Sequence, residues 1–179
     1  PVTILDPPSA PGSISGPTSI CESSTNTYSI AAVSGATSYV WDLPPGWSGS
    51  SSGTSISATA AAGGDISVIA QNACGSSSPQ SLTITVNPLP VVSLVLSPDF
   101  LCEYSASEIL SGGTPAGGTY TGSGVSANSL DPSGLSAGTY VITYTYTDAN
   151  FCTATSTDNI VIDACLGVEE WNGDMNVYP

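Results

Sequence analysis

Short runs of alternating apolar and polar residues, broken by Gly, Pro, Ser and Asn, recur along the whole 179-residue chain. The clearest is Leu82-Thr83-Ile84-Thr85-Val86. A period of two is the mark of a strand with one face buried. On that pattern the first half is expected to form strands at Thr27–Ala32, Ser38–Leu43, Thr54–Thr59, Asp65–Gln71 and Gln80–Val86. The second half is expected to form them at Val91–Leu96, Ser107–Leu110, Gly118–Gly122, Tyr140–Thr147 and Cys152–Ile162. Within Tyr140–Thr147 the alternation puts Tyr140, Ile142, Tyr144 and Tyr146 on one face. Ser34-Gly35, Pro44-Pro45-Gly46, Gly63-Gly64, Gly75 and Asp148-Ala149-Asn150 supply turns. No helical period of useful length occurs.

Many short strands in two similar segments predict an all-β chain of two tandem immunoglobulin-like sandwiches, with short extended N- and C-terminal segments. Residues 1–9 read as a linker, or as a strand of a preceding or neighbouring module. The first sandwich is expected over residues 10–88 and the second over 89–164, with Pro88-Leu89-Pro90 as a stiff hinge. Residues 165–179 read as a linker and the start of a further strand.

Charge then narrows the function. The chain has no Lys, Arg or His, and 14 Asp and Glu. Nucleic acid and anionic membranes are excluded as electrostatic partners, because both require positive charge. No side-chain ion pair can form, so each carboxylate must face water, accept backbone N–H groups or bind a cation. Ser-His-Asp, Cys-His and Ser-Lys catalysis are impossible without their bases. A carboxylate pair remains chemically open, but the acids are sparse and sit mainly in expected turns, so the chain is read as no enzyme. No apolar run approaches the roughly 20 residues that span a bilayer. The N-terminus lacks a basic signal-peptide region, and the chain reads as part of a longer precursor.

Five cysteines in a Thr-rich chain of small domains point to an oxidising compartment. Cys21 and Cys74 are 53 residues apart, and Cys102 and Cys152 are 50 apart. Bonds within each domain, Cys21–Cys74 and Cys102–Cys152, are the simplest scheme. Cys165 is then unpaired, or bonded to another chain or to a further part of the protein. With no His and no C-x-x-C, zinc is not expected.

Pro11-Gly12-x-Ile14-x-Gly16-Pro17-x-x-Ile20-Cys21, Gly35-Ala36-x-x-Tyr39-x-Trp41-x-Leu43-Pro44-x-Gly46-Trp47 and Ala70-x-Asn72-x-Cys74-Gly75 resemble the PKD-like repeats of large secreted proteins of Bacteroidetes-type bacteria. Leu110-Ser111-Gly112-Gly113-Thr114-Pro115-x-Gly117-Gly118-x-Tyr120 and Ala137-Gly138-Thr139-Tyr140-x-Ile142-x-Tyr144-x-Tyr146-x-Asp148 resemble the Ig-like repeats of the same proteins. Gly167-Val168-Glu169-Glu170 with Asn176-Val177-Tyr178-Pro179 is similar to the opening of a type IX secretion sorting domain. These resemblances imply export across the outer membrane to the bacterial cell surface.

Candidate sites are few. Trp41 is expected to pack in the first core, as an Ig-like Trp does against a disulfide; Trp47 is expected to pack while partly exposed, and Trp171 is free to dock on a neighbour. Tyr140 is expected to form a tyrosine corner. Asp99, Asp131, Asp148 and Asp158 are loop or strand-end acids, expected to shape turns; Ca2+ is their one candidate ligand, although no dense Asp-x-Asp run occurs. No other cofactor is expected. Val2, Thr3, Ile4 and Leu5 could add as a strand to a neighbouring copy, or be the severed strand of a preceding module. The expected role is a structural module, a spacer, stalk or filament subunit that self-associates or joins neighbouring modules of one surface protein. The alternatives are an adhesin for glycans or surfaces, and accessory domains of a larger secreted enzyme.

Overall fold

The computed structural model describes residues 6–51 and 53–165. Val2, Thr3, Ile4 and Leu5, Trp171 and the sorting-domain resemblance lie outside the described residues. The chain is all-β and divides into two Ig-like sandwiches. One unit runs up to Pro90 and also takes in Thr147–Cys152; the other comprises Val91–Tyr146 and the chain from Thr153 on.

Among the described residues the first sandwich has the strands β1 (Ser19–Cys21), β2 (Thr25–Ser29), β3 (Ser38–Asp42), β4 (Ser48–Ser51), β5 (Ser55–Thr59), β6 (Gly64–Asn72), β7 (Gly75–Ser76) and β8 (Gln80–Asn87). One sheet runs β1-β8-β6-β3, with β7 also on β6; the other runs β2-β5-β4. The alternating residues of β5, β6 and β8 turn Ile56, Ala58, Ile66, Val68 and Ile84 inward. Each such large aliphatic side chain contributes roughly 2 kcal/mol by leaving water. Tyr28 and Trp47 fill the centre, rings 6.5 Å apart. On β2-β5-β4 the positions that alternate with these are hydroxyl residues: Thr25 opposes Thr59, Thr27 opposes Ser57, and Ser48 opposes Thr59.

The second sandwich holds β9 (Ser93–Leu94), β10 (Phe100–Cys102), β11 (Glu108–Ile109), β12 (Gly113–Thr114), β13 (Thr119–Thr121), β14 (Val125–Ser126), β15 (Ser129–Leu130), β16 (Gly138–Thr147) and β17 (Thr153–Asp163). Its largest sheet runs β10-β17-β16-β13, beside smaller sheets β11-β15-β14 and β12-β9. The expected face of β16 forms: Ile142 and Tyr144 are buried, and Tyr140 and Tyr146 pack against the same core. Tyr144 Oη donates to Pro115 O (2.5 Å) and accepts from Gly118 N–H (2.7 Å). Its ring can lie there because Gly118 has no Cβ, which would collide with it. The tyrosine corner is also present, Tyr140 Oη donating to Ser136 O at 2.8 Å.

In both sandwiches the first strand of the main sheet lies parallel to the last. Ser19, Ile20 and Cys21 oppose Thr85, Val86 and Asn87; Phe100, Leu101 and Cys102 oppose Val161, Ile162 and Asp163. These closing strands were not expected, since three residues are too short to show a period. Likewise β4 is Ser-Gly-Ser-Ser and has no apolar residue to show.

Carboxylates hold loops by accepting backbone N–H groups. Asp158 accepts from Leu96 (2.9 Å) and Asn159 (2.8 Å), Asp148 from Asn150 (2.9 Å) and Cys152 (2.8 Å), and Glu103 from Ala137 (2.6 Å). Asp131 caps the short 3-10 turn Pro132–Gly134 through Ser133 N–H. Asp158 is a mid-strand residue of β17 rather than a loop or strand-end acid. The bonds from Leu96 and then Asn159 hold its carboxyl below the usual range, and those from Ser133 do the same for Asp131.

Two outcomes follow. Tyr144→Phe strands Gly118 N–H and Pro115 C=O and is expected to lower stability by about 1–3 kcal/mol, whereas Tyr28 Oη is buried without a partner among the described residues, so Tyr28→Phe is expected to leave stability level or raise it by about 1 kcal/mol. Urea midpoints by circular dichroism decide both. The depressed carboxyl of Asp158 stabilises the fold fully above the unfolded value of about 3.9, and that share is lost as pH falls through the lower folded value. Asp158→Asn is therefore expected to be less stable than the parent at pH 6, the gap closing toward pH 2; a gap independent of pH would refute the assignment.

Candidate functional site

The cysteines are the chain's nucleophilic thiols, and each sits at a strand end or in the turn that follows a strand. Cys21 and Cys102 end β1 and β10. Cys74 and Cys152 lie in the turns that follow the long strands β6 and β16. Cys165 lies just past β17, its N–H donating to Asp163 Oδ1 at 2.8 Å.

The bonds differ from those expected. Cys21 is bonded to Cys152, 131 positions away in sequence, and Cys102 to Cys165, 63 apart. Cys74 is free and exposed. The expected Cys21–Cys74 and Cys102–Cys152 pairs do not form, and Cys165 is not left over. The physical reason is strand placement. The parallel pairing lays Cys102 opposite Asp163, which brings the residues after β17 back beside Cys102. Cys21 lies opposite Asn87 at the far end of β8, whereas Cys74 lies in the turn before β8 begins. The turn Thr147–Cys152 belongs with the first unit, and there Cys152 is fully buried on Cys21.

Trp41 and Trp47 are structural. Trp41 packs on the edge of the first core and its Nε1–H donates to Gly53 O at 3.0 Å, but no disulfide lies in that core for it to cover. Trp47 is more buried than expected; its Nε1–H donates to Ala62 O at 2.7 Å. Asp131, Asp148 and Asp158 are engaged as backbone acceptors, and the Asp99 carbonyl accepts from Val161 N–H at 2.9 Å. Among the described residues no group of three or more His, Cys, Asp or Glu is placed to hold a metal ion. Exposed apolar side chains concentrate after the hinge, with Val91, Tyr104 and Phe151 each more than four-fifths exposed. No helix among the described residues is long and apolar enough to cross a membrane.

Several solved structures align over most of the chain. They include the D00-D0 domain of Intimin (16% identity, 84% of this chain and 98% of that one, TM-score 0.34). A Ca2+-stabilized adhesin that helps an Antarctic bacterium bind ice aligns at 16% identity, over 88% of this chain and 50% of that one, at TM-score 0.39. The Ig1-2 module of the Drosophila receptor protein tyrosine phosphatase DLAR aligns at 11% identity, over 89% and 97%, at 0.30. These superpositions are loose, and no property of those proteins is carried to this chain. No curated protein matches the sequence. Residues 7–84 match the family model of the PKD-like domain, a match that spans the first sandwich.

Proposed function

We propose that this chain is a non-catalytic, load-bearing spacer of a bacterial surface protein, extracellular and exported across the outer membrane, serving as part of a stalk or filament and needing no cofactor. The observation that supports this reading is the Cys21–Cys152 bond. It closes a loop that contains most of both cores, with Ile14 and Ile20 before it and Ile160 and Ile162 after it. A pull applied at the two ends of the chain enters at Cys21, crosses the bond to Cys152 and leaves along β17. The enclosed chain carries none of that extension. A tether built this way keeps its length under load, which is what a stalk requires and a catalytic domain does not. The hydroxyl-lined outer surface and the lack of Lys, Arg and His are compatible with the same role.

The adhesin alternative is favoured by one observation, the exposure of Tyr104 and Phe151, aromatic groups that could stack on a ligand.

Single-molecule pulling from the termini tests the spacer reading. With reductant the enclosed loop is expected to add about 450 Å of contour length, 131 residues at about 3.3–3.6 Å each. Without reductant that extension should be missing. Equal contour lengths in the two conditions would overturn the load path.

A further inference from the structure

The two sandwiches repeat one cysteine plan. Ile20-Cys21-Glu22-Ser23-Ser24 and Leu101-Cys102-Glu103-Tyr104-Ser105 share the pattern apolar-Cys-Glu-x-Ser. The structure places both alike. Each cysteine ends a strand parallel to the last strand, opposite Asn87 or Asp163. The N–H groups of Glu22 and Glu103 donate to the carbonyls of those residues, each at 2.8 Å. The N–H groups of Ser24 and Ser105 fold back on the cysteine carbonyls at 3.1 and 2.9 Å. The turn cysteines also correspond: Cys74 N–H donates to Asn72 Oδ1 and Cys152 N–H to Asp148 Oδ1, both at 2.8 Å. Each repeat therefore has one strand-end cysteine and one turn cysteine.

The observed bond joins the turn cysteine of the second repeat to the strand-end cysteine of the first. An exposed thiol alone would mean little, but the occupied bond at the equivalent position shows what such a turn cysteine takes. A second observation concerns the chain just ahead. Asp6-Pro7 stands fifteen residues before Cys21, as Asn87-Pro88 stands fifteen before Cys102. Asn87 ends the last strand of the first repeat, so Asp6 occupies the place where the last strand of an earlier repeat would end. That segment passes the Cys74 turn: Asn72 Nδ2 donates to Asp6 O at 2.8 Å, and Pro7 lies against Gly75.

We propose that Cys74 is the receiving half of an inter-repeat disulfide, its partner being the cysteine of an apolar-Cys-Glu-x-Ser strand in a repeat placed ahead of this one in the polypeptide. Cys102–Cys165 is the terminating version of the same device. Cys165 lies two residues past Asp163, where the first repeat has Leu89 two residues past Asn87. The second repeat thus closes its own strand-end cysteine instead of offering it onward. Formation of the bond joins the two thiol sulfurs and releases two protons and two electrons. Glutathione disulfide accepts them in vitro, yielding two molecules of glutathione. The proposal rests on the spacer reading only for the presence of an earlier repeat, and the pulling experiment above does not involve Cys74.

The test extends the full chain with a second copy of its first repeat, residues 1–86 followed by residues 6–179, oxidised with glutathione disulfide. Thiol titration is expected to find one free thiol, Cys74 of the added copy, and peptide mapping with Glu-C and chymotrypsin should link Cys21 of the added copy to Cys74 of the original. Three free thiols with both native disulfides intact, or a Cys21–Cys74 bond inside the added copy, would overturn the proposal while leaving the spacer reading untouched. Should the extended chain not fold, Cys165→Ser in the original chain frees Cys102. Head-to-tail oligomers linked Cys74–Cys102, absent from the Cys74→Ser, Cys165→Ser double variant, are then expected. Unlinked monomers, or symmetric Cys74–Cys74 links alone, would count against it.

Discussion

Every side-chain charge on this protein is negative, so no carboxylate can be neutralised by a neighbouring side chain. That constraint shapes the loops. The partners the carboxylates meet carry partial positive charge, as the Thr83 hydroxyl does in donating to Asp65, and the acids whose contacts define turns use the N–H groups of the backbone. Asp158 ties the segment before the second sandwich's loops to β17, Asp148 shapes the turn that delivers Cys152, and Glu103 holds Ala137. A hydrogen bond to an ionised acceptor is stronger than one between neutral groups, so a few such acids can fix several loops. Acid also acts differently here than in most proteins. Protonation removes these bonds but also removes all the self-repulsion, and no cationic surplus appears to drive the chain apart.

The same absence bears on solubility. Sheet edges are commonly guarded by Lys, which this chain cannot supply. Its outward faces carry Thr and Ser, with Thr119 opposite Thr145 and Thr121 opposite Thr143 in the second sandwich. These residues keep the β preference of branched or small side chains while presenting hydroxyls to water. Several edge strands are also very short, β1 and β10 being three residues each and β11 two, which limits what another chain could pair with there.

What the sequence made legible follows from burial. Strands β6, β8, β16 and β17 alternate over eight or more residues, and their positions and inward faces were readable. Tyr140 was readable as a corner because its role depends on local chain, four residues back. The strands that escaped, such as β1, β4, β12 and β14, are too short or too polar to show a period; they exist because a neighbouring strand offers them free backbone groups. Trp47 looked partly exposed because Pro44-Pro45-Gly46 reads as a surface turn, yet that turn folds the ring inward onto Tyr28.

Cysteine pairing was not legible, and the magnitudes explain why. Loop-closure entropy for the pairs within domains comes to roughly 4 kcal/mol each, and for separations of 131 and 63 residues to roughly 5 and 4 kcal/mol. A difference of about 1 kcal/mol is smaller than the error of such a model, and the two observed loops overlap, so their contributions do not simply add. Spacing therefore cannot choose among the pairings. Geometry does, through the parallel closing strands, which send Cys21 and Cys102 to the end of the sheet where β8 and β17 finish. Those three-residue strands are the part the hydrophobic pattern could not reveal. The most consequential bonds in the molecule thus depend on its least conspicuous strands, and the signal that stands for them is not hydrophobicity but the repeated Cys-Glu-x-Ser that ends both.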